Sequence, residues 1–209
     1  MARRTSDNVA LTVNRIMILA TDVRGATMDG AGAINSLAER VRASLADEAE
    51  HARTACSGGE ALCGVLELLL ATVEVQFEGR MLASILLLDA DGRRLHHGAA
   101  PSLPSDYCAA IDGIAIGPKV GSCGTAVFLG HPVYVTDIAS DPLWADFKDL
   151  AARFDLRACW STPIEGRTRP ILGAFAMYYR TPRSPTAEEL EAIRHIVSTV
   201  ADTIERLQP

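Results

Sequence analysis

One cysteine stands where its thiol could take part in chemistry. Cys123 lies in the stretch Gly121-Ser122-Cys123-Gly124-Thr125-Ala126, at the expected start of a helix. Unpaired N–H groups and the positive end of the helix dipole favour a thiolate there, so such a cysteine can act as a nucleophile or redox group. The alternative is a small packed residue, with Gly121 and Gly124 allowing a close approach of the backbone. We favour the packing interpretation.

A second group of residues is typical of a small-molecule site. Four aromatic side chains are concentrated in one loop and the strand after it, namely Trp144, Phe147, Phe154 and Trp160. Aromatic side chains wall small-molecule cavities, while a few polar groups orient the ligand. Packing in the core is the alternative for each of them.

Charged and metal-binding candidates are few. Arg157 could pair with a ligand carboxylate or phosphate, or form an ion pair with Asp141 or Asp155. Neighbouring residues of a strand point to opposite faces, so only one of His96 and His97 could enter a site. The five cysteines show no zinc-binding spacing. We therefore predict neither a metal site nor catalytic residues.

Composition indicates a single soluble domain with appendages. The chain has 209 residues, 48% of them hydrophobic, and a formal net charge of −6. Acidic and basic residues are interspersed, which argues against nucleic-acid binding. No apolar run reaches the roughly 18 residues that span a bilayer, and no signal peptide is visible. We expect a cytoplasmic protein without disulfides.

The hydrophobic pattern predicts a mixed α/β core. Helices are expected over 60–78 and 122–129, from Pro142 onwards, and from Thr186 onwards, where Glu189 completes a capping box. A further helical turn is expected near 106–110. Strands are expected over 81–88, 93–100, 114–116, 132–137, 156–165 and 170–180.

Heptad-like patterns lie at both ends of the chain. The N-terminal seam consists of Val9, Val13, Ile16, Ala20, Val23, Thr27, Gly30, Ile34, Leu37, Val41 and Leu45. The C-terminal one consists of Leu190, Ile193, Val197, Val200, Ile204 and Leu207. Such seams favour a coiled coil with a partner helix, although each helix could instead pack on its own domain. Glycines near Gly30 predict a kink or break.

The order of these motifs resembles the second half of a GAF domain, a small-molecule sensing module of bacterial signalling proteins. The most specific part runs from Cys123 to Tyr179 and includes Cys159-Trp160-Ser161-Thr162-Pro163-Ile164. The resemblance implies an α/β (α+β) fold, an antiparallel sheet of five to six strands flanked by helices. It divides the chain into a helical segment over 1–57, a GAF core over 58–185 and a signalling helix over 186–209.

The resemblance also implies where a ligand would lie. In GAF domains it lies between the sheet and the segments that cross one face, which are here 107–119, 123–129 and 137–154. We expect the Cys159/Ser161 face of its strand to be the floor, an assignment that a one-residue register error would reverse. The predicted ligand-binding residues are Tyr107, Ile116, Cys123, Phe128, Asp137, Trp144, Phe147, Arg157, Cys159 and Ser161.

Three known GAF activities fit the residues less well. Free methionine sulfoxide reductases share the Gly-x-Cys-Gly-Thr-Ala stretch, but their catalytic cysteine corresponds to a position near Arg153, where this chain has none. Bilin-binding domains attach the chromophore through a cysteine followed by histidine, whereas Cys159 precedes Trp160. The Asn-Lys-x-Phe-Asp-Glu signature of cyclic-nucleotide domains is absent. No cofactor is assigned.

The function implied is a sensory input domain. An effector in the cavity would shift the 137–154 cover, and the sheet would pass that shift to terminal helices that form a homodimer. A kinase or cyclic-dinucleotide enzyme could be the output, and neither nucleic acid nor a membrane is an expected partner. The rivals are a thiol-dependent reductase that uses Cys123 and a ligand-free interaction module.

Overall fold

The computed structural model describes residues 36–52, 59–167 and 169–208. Most of the N-terminal seam, from Val9 to Ile34, lies outside the described residues, and so do the predicted break at Gly30 and the thiol of Cys56.

A single six-stranded sheet forms the centre of the domain. Its order is β3-β2-β1-β6-β5-β4, and every pair of neighbours is antiparallel. The sheet confirms the predicted fold class and strand number. The strands are β1 (Leu82–Leu88), β2 (Arg94–Ala99), β3 (Ile114–Ala115), β4 (Val133–Val135), β5 (Ala158–Glu165) and β6 (Ile171–Tyr179).

Six α-helices accompany the sheet in the described part of the chain. They are α1 (Leu37–Ala52), α2 (Gly59–Gln76), α3 (Ser105–Ile111), α4 (Gly121–Leu129), α5 (Lys148–Arg153) and α6 (Ala187–Leu207). The capping box of α6 is present, because Thr186 Oγ1 accepts from the Glu189 N–H while the Glu189 carboxylate accepts from the Thr186 N–H.

The helix expected from Pro142 is broken. Asp141 accepts a hydrogen bond from the Leu143 N–H at 2.8 Å, but only a 3₁₀ turn, Pro142–Trp144, follows it. Phe147 then has ψ of −8° and precedes the separate helix α5. At this break Trp144 is buried and its indole N–H donates to the Ser122 hydroxyl, whereas Phe147 is only partly buried in the same cluster.

The sheet is buried on both faces, and a different set of elements covers each. Successive strand residues point to opposite sides. On β6, Phe175, Met177 and Tyr179 pack with α1, α2 and α6 on what we call the helix face. Ala174, Ala176 and Tyr178 pack with α3, α4 and residues 138–156 on what we call the cavity face.

Seam residues in the described part pack inside the chain. Val41 and Leu45 of α1 join Ile193, Val200 and Ile204 of α6 in the cluster on the helix face, and each is at most 2% exposed. The outward side of α6 is polar, with Glu191, Arg194, Ser198 and Asp202 exposed. In this part of the chain the seams therefore serve the helix packing of one protomer. No described helix is both long and apolar enough to cross a membrane.

Candidate small-molecule cavity

The Gly-Ser-Cys-Gly stretch forms the start of α4, pressed closely onto its neighbours. Gly121 has φ of +56°, a conformation that side-chain-bearing residues rarely adopt. A Cβ at Gly124 would lie 2.8 Å from the Val120 side chain and 3.0 Å from the Ala115 carbonyl oxygen. The glycines therefore let α4 begin directly over the sheet.

Ser122 joins three elements at this point. Its hydroxyl donates to the Cys159 carbonyl oxygen of β5 at 3.0 Å and accepts from the Trp144 indole N–H at 3.0 Å. All three residues are at most 4% exposed. A serine here fixes the start of α4 on the sheet and holds the 3₁₀ turn that carries Trp144 over it.

A small cavity lies beneath these residues on the cavity face. It has a free volume of about 30 Å³, which is room for one or two water molecules. Its walls are mostly apolar and aromatic. They are formed by Leu86, Tyr107, Ile111, Ile114, Val120, Gly121, Ser122, Cys123, Gly124, Trp144, Phe147, Leu150 and Tyr178.

Cys123 and Cys159 form a buried thiol pair at the base of the site. Hydrogen bonding with Cys159 lowers the pKa of Cys123, whereas burial raises the pKa of Cys159 well above its ordinary value. The Cys123 Sγ lies 4.0 Å from the Tyr178 hydroxyl. Because Cys123 is only 8% exposed, a substrate could reach its thiol only after the cover had moved.

Two tyrosines supply the remaining polar groups of the wall. Tyr107 and Tyr178 meet edge to face with ring centroids 5.8 Å apart, and Phe154 meets Tyr107 in the same way at 5.6 Å. Burial raises the pKa of Tyr107 and of Tyr178 well above the ordinary value. Both hydroxyls therefore stay protonated and act as neutral hydrogen-bonding groups.

The structure brings together some of the sequence-predicted site residues. Tyr107, Cys123, Trp144 and Phe147 line the cavity. Ile116 packs against the same cluster without lining it. Cys159 is buried on the same face of β5, and the Ser161 hydroxyl donates to the Phe175 carbonyl oxygen at 3.4 Å.

Three predicted residues lie elsewhere. Phe128 is 50% exposed near the end of α4, because it lies on the solvent side of a helix whose buried side is formed by Cys123, Ala126 and Val127. Arg157 forms an ion pair with Asp137 at 3.3 Å, and both side chains are more than one-third exposed, although the buried Nε of Arg157 has no hydrogen-bond partner among the described residues. The partner is Asp137, not the expected Asp141 or Asp155, because Asp137 follows β4, the strand beside β5.

Sequence reasoning missed several residues of the wall. On β6, Tyr178 lies between Met177 and Tyr179, which both point to the helix face. Because Tyr178 pairs with Cys159 of β5, a predicted pairing of the two strands would have placed Tyr178 on the cavity face. The aliphatic residues of the wall carry no chemical signal in the sequence that distinguishes them from other core residues. They are Leu86, Ile111, Ile114, Val120 and Leu150. The described residues hold no group of three or more potential metal ligands.

A wider groove opens on the surface near α3. It encloses about 430 Å³ and is lined by His97, Ala100, Leu103, Ser105, Cys108, Ala109 and Asp112. Asp112 already accepts from the His97 N–H at 2.8 Å and pairs with His96 at 3.6 Å. The groove is the larger space, but its one carboxylate, that of Asp112, is engaged, and the groove lies open to solvent. The inner cavity is the better-enclosed site.

The sheet is joined to α6 by a cluster around Arg183. The guanidinium lies over the rings of Trp160 and Tyr179, at 5.1 and 4.5 Å from their centroids, and donates to both oxygens of Glu189 at 2.8 Å. The Trp160 indole N–H donates to the Arg183 carbonyl oxygen at 3.1 Å. β5 and β6 are thereby tied to the first turn of α6.

The family model for the GAF domain matches residues 61–205. The chain belongs to the GAF domain family. The matched range includes all six strands and α3 to α5, so both the sheet and the cavity are part of the GAF domain.

A sensor protein resembles this GAF domain in sequence. The methyl sulfide methyltransferase-associated sensor of Methanosarcina acetivorans is 38% identical over 152 residues, which is 73% of this chain. The aligned part is 15% of that protein, so this chain corresponds to only a small part of the sensor's length.

Solved structures share the fold at low sequence identity. The GAF domain of a phosphoenolpyruvate-protein phosphotransferase from Coxiella burnetii is 15% identical, covers 81% of this chain and 95% of its own, and has a TM-score of 0.63. A free methionine-R-sulfoxide reductase from Neisseria meningitidis is 16% identical, with coverage of 86% and 95% and a TM-score of 0.60. At such identities the likeness shows the GAF fold alone.

Proposed function

We propose that this GAF domain is the sensory input of a signal-transduction protein and that its effector is a small molecule bound in the inner cavity. The observation that carries the proposal is that the two faces of the sheet hold different elements. One face holds the enclosed cavity, and the other holds the terminal helices. A ligand on the first face can therefore act on the second through the strands between them.

The cover of the cavity is the element that a ligand would move. Phe147 and Leu150 lie on it and are only partly buried, whereas Trp144 beside them is 4% exposed. The cavity of about 30 Å³ is too small for an effector unless these side chains shift outward. The free energy of binding would therefore include the free-energy difference between the closed and the open cover.

The route to the output passes through β5 and β6. Cys159 and Trp160 are neighbours on β5, the first on the cavity face and the second stacked beneath Arg183. A displacement of β5 below Ser122 would reach Glu189 and the first turn of α6 through this cluster. We propose that α6 passes the change to a second copy of the chain and to an output unit such as a kinase or cyclic-dinucleotide enzyme.

Native mass spectrometry of the protein purified from its own cells tests this function. We expect a fraction of the protein to retain one small molecule per chain. Phe147→Trp adds bulk at the cover and should reduce that fraction. Phe128→Trp makes the same change at a side chain that is 50% exposed and outside the cavity wall, and should leave the fraction unchanged. Equal loss in the two variants, or no adduct in any of the three proteins, would contradict the proposal.

A further inference from the structure

The inner cavity contains no charged group with which a charged ligand could pair. None of the thirteen described residues that line it is an aspartate, glutamate, lysine, arginine or histidine. The nearest guanidinium of the predicted set, Arg157, is engaged by Asp137 outside the wall. Moving an unpaired ion into such surroundings carries a free-energy cost of several kcal/mol. The wall therefore offers no charged side chain to pair with a phosphate, a carboxylate or an ammonium group, and the N-terminus of α4 contributes only a partial positive charge.

The polar groups of the wall contact one another. The Ser122 hydroxyl donates to Cys159 and accepts from Trp144. The Cys123 thiol is hydrogen-bonded to Cys159, and its Sγ lies 4.0 Å from the Tyr178 hydroxyl. Because sulfur is a weak acceptor, a guest with one oxygen or nitrogen acceptor can take the hydrogen bond of the Tyr178 hydroxyl in its place.

A further hydroxyl on the same face lacks a partner. Ser84 is 1% exposed, and its Oγ has no hydrogen-bond partner of good geometry among the described residues. It lies opposite Ala176 in the β1–β6 pair, so it shares the cavity face with Leu86 and Tyr178. Ser84 does not line the cavity itself but interacts with the hydroxyl of the wall residue Tyr178 from behind.

The ring of Phe147 in the cover sets the size of the guest. The cavity is walled by the rings of Tyr107, Trp144, Phe147 and Tyr178, and Phe147 is the one that is only partly buried. Outward rotation of Phe147 would free a space close to that of one aromatic ring. The remaining rings would then contact a flat guest by face and edge.

We propose that the cavity takes an uncharged molecule about the size of one six-membered ring that carries a single hydrogen-bond acceptor. The inference rests on the proposed sensory function and names the class of its effector. It predicts that an anion binds this site more weakly than a neutral molecule of the same size.

Tryptophan fluorescence can follow binding at this position. The chain has two tryptophans, of which Trp144 lines the cavity and Trp160 lies on the helix face. Three matched probes are titrated, namely acetophenone, which is neutral and has a carbonyl acceptor, benzoate, and benzylammonium. We expect acetophenone to produce a saturable change that persists in Trp160→Phe and disappears in Trp144→Phe. Each charged probe should bind at least about tenfold more weakly.

One further variant opens the cover, and a second is its control. Phe147→Ala opens the space in advance, so acetophenone should bind at least about tenfold more tightly, as apolar molecules do in engineered cavities. Phe128→Ala is the matched control at an exposed phenylalanine and should bind like the parent. Thermal unfolding of each variant establishes that it is folded.

The outcomes separate the two levels of the proposal. Equal or tighter binding of benzoate or benzylammonium at Trp144 would overturn the uncharged class while leaving a ligand site in place. If no probe changes Trp144 fluorescence, even in a folded Phe147→Ala protein, both the effector class and the sensory cavity are wrong.

Discussion

Glu74 shows how one buried side chain holds the wall of the site. It is 7% exposed, accepts from the Ala83 N–H at 2.7 Å and accepts a hydrogen bond from the Ser102 hydroxyl. Glu67, also on α2, accepts from the Ala100 N–H at 2.9 Å. Two glutamates of one helix thus fix the connection between β2 and α3, the helix that carries Tyr107 to the cavity.

Burial of Glu74 predicts a pH-dependent stability. Burial raises its pKa above the ordinary value of 4.5, so the folded chain keeps this proton to a higher pH than the unfolded chain does. The resulting stabilisation is complete below pH 4.5 and is lost as the pH rises through the raised value. Urea unfolding from about pH 5 to about pH 8 should show the wild type losing stability relative to Glu74→Gln.

The glutamine variant retains an acceptor for the Ala83 N–H and can donate to Ser102, so it removes the titration with little change in hydrogen bonding. Glu78→Gln is the control, because the Glu78 side chain is 71% exposed. It should follow the wild type across the whole pH range. A constant difference between wild type and Glu74→Gln would show that this carboxyl does not titrate differently on folding.

At the scale of elements, two glycines should respond oppositely to the same substitution. A Cβ at Gly173 would lie 2.1 Å from the Leu86 carbonyl oxygen, inside the β1–β6 pair. Gly173→Ala must therefore separate two central strands, and we expect a loss of about 2–4 kcal/mol in the free energy of unfolding. Gly64 lies exposed in α2 with nothing within 4 Å of a Cβ, so Gly64→Ala should gain about 1 kcal/mol.

Chemical denaturation of the two variants and the wild type tests whether Gly173→Ala lowers the free energy of unfolding and Gly64→Ala raises it. Leu86 also lines the cavity, so Gly173→Ala should weaken binding of acetophenone, whereas Gly64→Ala should not. If Gly173→Ala were as stable as the wild type, β1 and β6 would not approach as closely as the structure shows.

The hydrophobic periodicity of the sequence predicted the helices and strands better than it predicted where they are interrupted and how they contact one another. Each strand was expected because apolar residues run between turn signals, and that pattern is local. The interruption of the helix at Phe147 depends on Trp144 bonding to Ser122, a contact across 22 positions that no local pattern contains. The Asp137–Arg157 pair likewise depends on the pairing of β4 with β5.

The cavity could be predicted in outline for the same reason. Cys123, Trp144 and Phe147 were expected because thiol and aromatic side chains carry a chemical signal. Phe128 carries the same signal but is on the exposed end of α4, which only the packing of the whole helix decides. The aliphatic wall gave no signal that distinguishes it from the core.

At the scale of the whole molecule, the heptad pattern has two different meanings along the chain. In α1 and α6 its residues cover each other and the helix face within one protomer. The described outer side of α6 is mostly polar, and only Leu190 and Val197 of the C-terminal seam are partly exposed, so little apolar surface remains there for a second copy. Homodimer formation remains a prediction, and it now rests on the N-terminal seam from Val9 to Ile34.

A charge placed in that seam should dissociate the dimer. Val13 and Ile16 occupy consecutive seam positions, and a glutamate at either would be buried between helices without a partner. We expect light scattering at about 50 μM to give a dimer for the wild type and a monomer for Val13→Glu or Ile16→Glu.

Val75→Glu is the matched control for this change. Val75 is 40% exposed on α2, so the same substitution there adds a charge without burying it, and the protein should stay dimeric. Because the seam lies outside the matched family range of 61–205, the monomeric variants should also keep the cavity and bind acetophenone as the wild type does. A wild-type monomer at this concentration would contradict dimeric signalling, and loss of probe binding in a folded monomer would show that the cavity depends on the second copy.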